Sequence, residues 1–258
     1  MFERIIEFHG PESILHDKEI LPIPANKNIP AWYRDLEPHI NFGSPYGRGI
    51  GTLKKCLPVL DALTAGYILK SHQDVFINFN FYNKETKTQD VRIEGPSSSP
   101  VALQATILKH GHEINWGIDH HPSSQLGGDK CPFVKQNSDL PFVKLVNTWR
   151  VVTPKGYSTF YLPIINNGDP RFTPFSGIVD TDSGFYFNTN FPIIVHKQGK
   201  FTIKKGTPIA AVFPFKRDSW KMKIKEVDSK KSNTQKVDHT RVHMHWYKDL
   251  FWKQKKWK

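Results

Sequence analysis

The chain has 258 residues, 38% apolar and 13% aromatic, with a formal net charge of +12. One large all-β domain or two small ones fit that length, and the aromatic share fills an interior that the lean apolar share alone would not. The composition excludes a disordered chain, and no run approaches the ~18–20 consecutive apolar residues that a membrane-crossing helix needs.

The opening MFERIIEFHG contains acidic residues and no apolar leader. The expectation is a soluble protein of the cytoplasm, with no membrane partner. Cys56 and Cys131 lie 75 positions apart in no metal-type spacing and read as free thiols in a reducing setting. The positive charge is unevenly spread: residues 216–258 hold 14 Lys/Arg against 5 Asp/Glu, a net +9, leaving 22 against 19, or +3, for the first 215. The basic signal therefore belongs to the C-terminal segment.

In chain order, residues 1–58 are rich in Pro, Gly and Asn and read as a loop-rich cover, with one short helix in IPAWYRDL starting at Pro30. From Gly66 the texture becomes alternating. Val75, Ile77, Phe79 and Phe81 fall on one face of a strand, with Phe76, Asn78, Asn80 and Tyr82 on the other. Further strands are expected in VRIEG, PVALQATILKH, FVKLVNTWRVVT, YSTFYLPII, SGIVDT, FYFNTNFPIIVHK, GKFTIKK and TPIAAVFPFKR, nearly all bounded by Gly, Pro, Asn or Asp. No βαβ alternation and no internal repeat is present. The predicted fold is mainly β, an antiparallel sandwich or β-clip spanning 1–228 as a single domain.

The remaining 229–258 divides into a solvated basic linker, SKKSNTQKVDH, and an aromatic helical end with Trp246, Leu250 and Trp257 at near-helical spacing. Its lysines and aromatics would suit nucleic acid. Docking of the aromatic face onto the β domain, with the lysines in water, is the preferred expectation, since a free tail would expose a large apolar surface.

Three turns occur in order within residues 153–217: Pro154 to Gly156, Gly177 to Asp180, and Lys205 to Ala210. Together they resemble the conserved blocks of the dUTPase and dCTP-deaminase group, and Ala65-Gly66-Tyr67 is similar to that group's first block. The resemblance implies a β-clip scaffold, with Asp180 at the position that orients the attacking water in the family. Asp182, Tyr157 and Arg217 would be ligand contacts around it. The family's phosphate-binding Arg-Ser-Ser block is here Leu162-Pro163-Ile164, the sugar-stacking Tyr is Ser183, and the Asp after Ala-Gly-Tyr is Ile68. The expected activity is therefore binding of a small polar ligand without ordinary dUTPase chemistry. IPAWYRDL, Lys55-Cys56-x-Pro58, TPKGYS, GIVDTD, GTPIAAVFPFKR and a closing Tyr-x-x-x-Phe-Trp also resemble a family of bacterial and tailed-phage proteins. That likeness implies an origin, and with it a place in the host cytoplasm or the virion, rather than a mechanism. A structural or assembly role, with the basic aromatic tail of 239–258 as the contact, is a separate alternative, and a homo-oligomer is in keeping with it.

Other constellations supply alternatives. His72-Gln73-Asp74 has the HxD spacing of iron and 2-oxoglutarate oxygenases; His196 would be the third ligand of a divalent metal, with Lys204 or Lys205 holding the co-substrate. His110, His112, His120 and His121 form a second potential metal cluster, although a loop of polar, partly exposed histidines is the preferred account. Asp180-Thr-Asp182-Ser-Gly184 also suits a tight turn, with no distal carboxylate to complete a calcium loop. No nucleophile elbow, P-loop or convincing dinucleotide fingerprint is present.

Overall fold

The structure is a computed structural model of the chain and describes residues 4–40, 50–79, 91–94, 118–120, 130, 142–184, 189–197, 199–241 and 246–258. Its strands are β1 (Glu7–His9), β2 (Ile23–Pro24), β3 (His39–Ile40), β4 (Ile50–Gly51), β5 (Tyr67–Lys70), β6 (Val75–Phe79), β7 (Val91–Glu94) and β8 (Ile118–His120). They continue with β9 (Phe142–Leu145), β10 (Arg150–Val152), β11 (Tyr157–Leu162), β12 (Phe172–Pro174), β13 (Gly177–Val179), β14 (Phe191–Val195), β15 (Gly199–Ile203) and β16 (Pro208–Lys216). The α-helices are α1 (Glu12–Leu15), α2 (Ala31–Arg34), α3 (Leu57–Thr64), α4 (Ser229–Arg241) and α5 (Trp246–Leu250).

The fold is mainly β, and every strand pair among the described residues is antiparallel. A five-stranded sheet runs β13-β11-β16-β5-β2, a four-stranded sheet β12-β14-β9-β8 and a three-stranded sheet β15-β6-β7. One core joins them, drawing Leu69, Val75, Ile77, Leu145, Tyr161, Phe191, Ile193, Ile203 and Val212 from all three. The predicted alternation is present in β6, where Val75 and Ile77 are buried and Phe76 is exposed. In β14 three successive residues, Ile193 to Val195, are buried, so both faces of the sheet are covered at this strand.

FVKLVNTWRVVT forms two strands rather than one, and Asn147 is the cause. Its buried side chain donates to the Trp149 carbonyl at 2.6 Å and accepts from the Trp149 amide at 3.0 Å, so the local bonds replace ladder bonds over 146–149. Gly66, at φ +72°, lets the start of β5 cross β16 at close range: a Cβ there would sit 2.3 Å from the Val212 carbonyl oxygen.

Helices depart from expectation at four places, the first being α1, which stands in the stretch that reads as covering loop. In IPAWYRDL the helix begins at Ala31, with Pro30 as its extended cap. Residues 57–64 are helical where the expected cover ends at 58 and no element is expected directly beyond it, with Pro58 in the first turn where its missing N–H costs little. Ser229–Arg241 is a helix, although the composition reads as a linker; the solvated part holds, since the described side chains of 229–236 are exposed except for half-buried Ser232. The strand expected in PVALQATILKH lies outside the described residues, as do Cys131, His110, His112 and His121.

Among the described residues, no helix is long and apolar enough to cross a membrane. The terminal segment docks, but not as one helix, because α5 stops at Leu250. Trp257 packs against Phe213 at 5.1 Å and Tyr67 at 6.0 Å between ring centroids, while Asp61 of α3 accepts hydrogen bonds from Trp252 Nε1 at 2.9 Å and Lys255 Nζ at 2.5 Å.

Candidate functional site

The strands carrying the three family-like turns are neighbours in the five-stranded sheet. Central β11 pairs with β13 through Thr159 and Val179, and with β16 through Tyr157 and Lys216. This register brings the Pro154–Gly156 turn, the end of β13 and the end of β16 to one corner. Gly156 closes the turn at φ +87°, and its carbonyl accepts the Arg217 amide at 2.9 Å.

Arg217 is the hub of that corner. Its Nη1 donates to Asp182 Oδ1 at 2.8 Å, the Tyr157 carbonyl at 3.0 Å, Ser158 Oγ at 3.1 Å and Asp180 Oδ1 at 3.3 Å, while Nη2 donates to Asp182 Oδ2 at 2.5 Å. Asp182 Oδ2 also accepts the Gly156 amide at 2.7 Å. The Arg217 hydrogen bond, followed by that amide, lowers the Asp182 pKa to about 2. The same pairing raises the pKa of Arg217. Beneath the corner, Thr181 links Thr153 at 2.6 Å and Thr159 at 2.8 Å through buried hydroxyls. The Asp-Thr-Asp segment is thus pinned on both sides.

Asp180 and Asp182 differ sharply in environment. The Asp182 side chain is 7% exposed and fully engaged, whereas that of Asp180 is 64% exposed. Asp180 Oδ1 accepts from Ser158 Oγ at 2.6 Å, and Oδ2 has no partner among the described residues. Such a carboxylate accepts hydrogen bonds from an incoming N–H or O–H group. It lacks the water-excluding walls that would strengthen it as a catalytic base. Ser158 was not singled out in sequence, though its place on a strand beside GIVDTD is a usable signal.

The expected ligand contacts therefore separate. Asp182 and Arg217 converge, but on each other. Tyr157 joins through its backbone carbonyl; its hydroxyl is buried without a partner among the described residues, and Arg4 lies 5.2 Å over its ring. A described cavity lies beyond the opposite end of β11, lined by Ala25, Leu63, Ile68, Ile164 and Ala211, and its volume of about 10 Å³ is about the space of one water.

The alternative metal triad does not assemble: among the described residues, no group of three or more His, Cys, Asp or Glu could hold a metal ion. His196 hydrogen-bonds Thr173 at 2.8 Å. Asp74 instead ties down the β15–β16 turn, accepting from Lys204 Nζ and the Lys205 amide, both at 2.8 Å. The Lys204 hydrogen bond, then the amide, holds Asp74 below the ordinary carboxylate range. Lys205 pairs with Asp17 rather than facing a co-substrate space.

Beyond Arg217 the chain leaves the sheet. Residues 217–228 form no helix, turn, bend or strand pairing, and all are exposed, Arg217 included although it contacts the corner. Trp220 is 91% exposed, Met222 84%, Ile224 86% and Val227 70%. Trp220, Met222 and Ile224 alternate with Lys221, Lys223 and Lys225, a period of two that the sequence displays openly.

In comparison with known proteins, no family model, no curated protein and no solved structure matches the chain.

Proposed function

We propose that this protein works by protein–protein contact, as an interaction or assembly module whose contact element is the arm of residues 219–227. The observation that carries this is the exposure of Trp220, Met222 and Ile224 in a row, on a backbone with no backbone partner among the described residues. Isolated exposed apolar residues are ordinary, but a contiguous row of this size marks an interaction surface. Arg217 fixes where the arm starts by tying its root to Asp180, Asp182 and the Gly156 turn. In the cells that produce it, the full chain is expected to elute in extract well above its 29.8 kDa mass, and the double variant Trp220→Lys, Ile224→Lys to elute smaller. Identical elution of the two would overturn the proposal.

A second reading is supported by Asp180: a small polar ligand donating hydrogen bonds to its free oxygen, on a scaffold related to dUTPases. Adjacency of the three turn-bearing strands in one sheet supports that kinship. Apolar Leu162 and Ile164, where the family binds phosphate, speak against hydrolysis. Calorimetric titration with nucleosides and nucleoside triphosphates tests it, with binding lost in Asp180→Ala and no dUTP hydrolysed. Equal binding by that variant would remove it.

A further inference from the structure

We infer that the arm of residues 219–227 adds as a strand to the open β13 edge of a second copy of this chain, the two copies exchanging arms reciprocally. This rests on the arm being a contact element, as proposed above, and names its partner.

The arm has the features of a strand without a sheet. Its alternation places Trp220, Met222 and Ile224 on one face and Lys221, Lys223 and Lys225 on the other. No backbone group of 218–227 forms a backbone hydrogen bond with another described residue. Nucleic acid would engage the lysine face and leave the Trp, Met and Ile face in water; a protein edge satisfies the backbone and covers the apolar row together.

The receiver is present on the same molecule. β13 is the outer strand of the five-stranded sheet, and its far side pairs with nothing among the described residues. Ser176, Gly177, Ile178 and Asp180 are exposed along it, with Ile178 60% exposed. The run 176–180 contains no cation and ends on exposed Asp180, whose Oδ2 has no partner among the described residues and suits an arm lysine. By contrast, β15 is a less available edge, because Arg171 Nη1 already donates to its Thr202 carbonyl at 2.7 Å.

Arm root and receiving edge also meet at one corner, through the contacts of Arg217 with Asp180 and Asp182. Two copies facing each other at that corner can each give an arm and accept one, forming a closed two-fold pair. Two exchanged arms of about ten residues, each led by a Trp, approach the ~1,200–2,000 Å² of a specific interface.

Sedimentation equilibrium of the purified full chain, between about 1 and about 100 µM, tests this. The wild type is expected at twice 29.8 kDa, and both the Trp220→Lys, Ile224→Lys variant and the Ile178→Lys variant at the single mass. All three positions are exposed, so unchanged circular dichroism should accompany the loss. Mixing the two variants restores one of the two arm–edge pairs and should yield a weaker mixed dimer. A wild type that stays monomeric overturns the inference, whether or not it binds a single-stranded oligonucleotide through its lysines. So does a dimer that survives both variants. A purified monomer that still elutes large in extract would remove the second copy as partner and leave the arm as a contact for another protein.

Discussion

Arg217 grips Asp182 with both terminal nitrogens, at 2.8 Å to Oδ1 and 2.5 Å to Oδ2, and so locks the end of β16 to the turn after β13. A carboxylate held this way, with its pKa lowered to about 2, favours the folded state only while it is charged. The contribution is complete above the ordinary Asp value of about 3.9 and is lost as pH falls through about 2. Asp182→Asn should lower the urea midpoint at neutral pH and flatten its decline between about pH 4 and pH 2. Parallel decline in both proteins would show that the lock is not the titrating element.

The glycines separate into two kinds. At Gly66 a Cβ meets the Val212 carbonyl oxygen at 2.3 Å with φ at +72°, so Gly66→Ala must displace backbone as well as strain it. A loss on the order of 3 kcal/mol or more is expected from strain and overpacking together. Gly156 and Gly184 also have positive φ but nothing within 4 Å, so alanine there should cost only about 1–2 kcal/mol. Urea denaturation of the three variants checks that order.

Docking of the C-terminus depends on Trp257 and Asp61. Trp257→Ala removes the contacts with Phe213 and Tyr67, and about 1–3 kcal/mol of stability should go with them. Asp61→Ala frees Trp252 and Lys255 together. Trypsin should then cut at Lys253 and Lys255 several-fold faster, while cleavage at the already exposed Lys221 and Lys223 stays unchanged.

Interior packing gives a reference point. Ile193 is fully buried between neighbouring strands, and Ile193→Ala should cost about 2–5 kcal/mol by chemical denaturation.

Much of the strand pattern was legible because period-two alternation and turn residues are local signals, as Val75, Ile77 and the Pro154–Gly156 turn show. The break at Asn147 was not, because it arises from a buried side chain competing with the ladder. Nor was α4, since Ser, Asn, Lys and Gln give no apolar face by which to recognise a helix. Asp180 was found through family-like turns, but its contrast with Asp182 depends on where β16 delivers Arg217, which sequence spacing does not reveal. HxD spacing misled for the opposite reason: Asp74 meets Lys204 and Lys205 across a turn, and His196 meets Thr173. The alternation of WKMKIK stands in the sequence but was not singled out there. Its importance comes from exposure, which only the fold discloses.

Hydrogen–deuterium exchange of the purified full chain at increasing concentration tests most directly whether residues 219–227 are a contact element. Slower exchange of their amides as concentration rises, matched by slowing at Gly177–Val179 and abolished in Trp220→Lys, Ile224→Lys, is the predicted result. Exchange over 219–227 at the rate of an unpaired chain, unchanged at every concentration, would contradict pairing of the arm with a second copy.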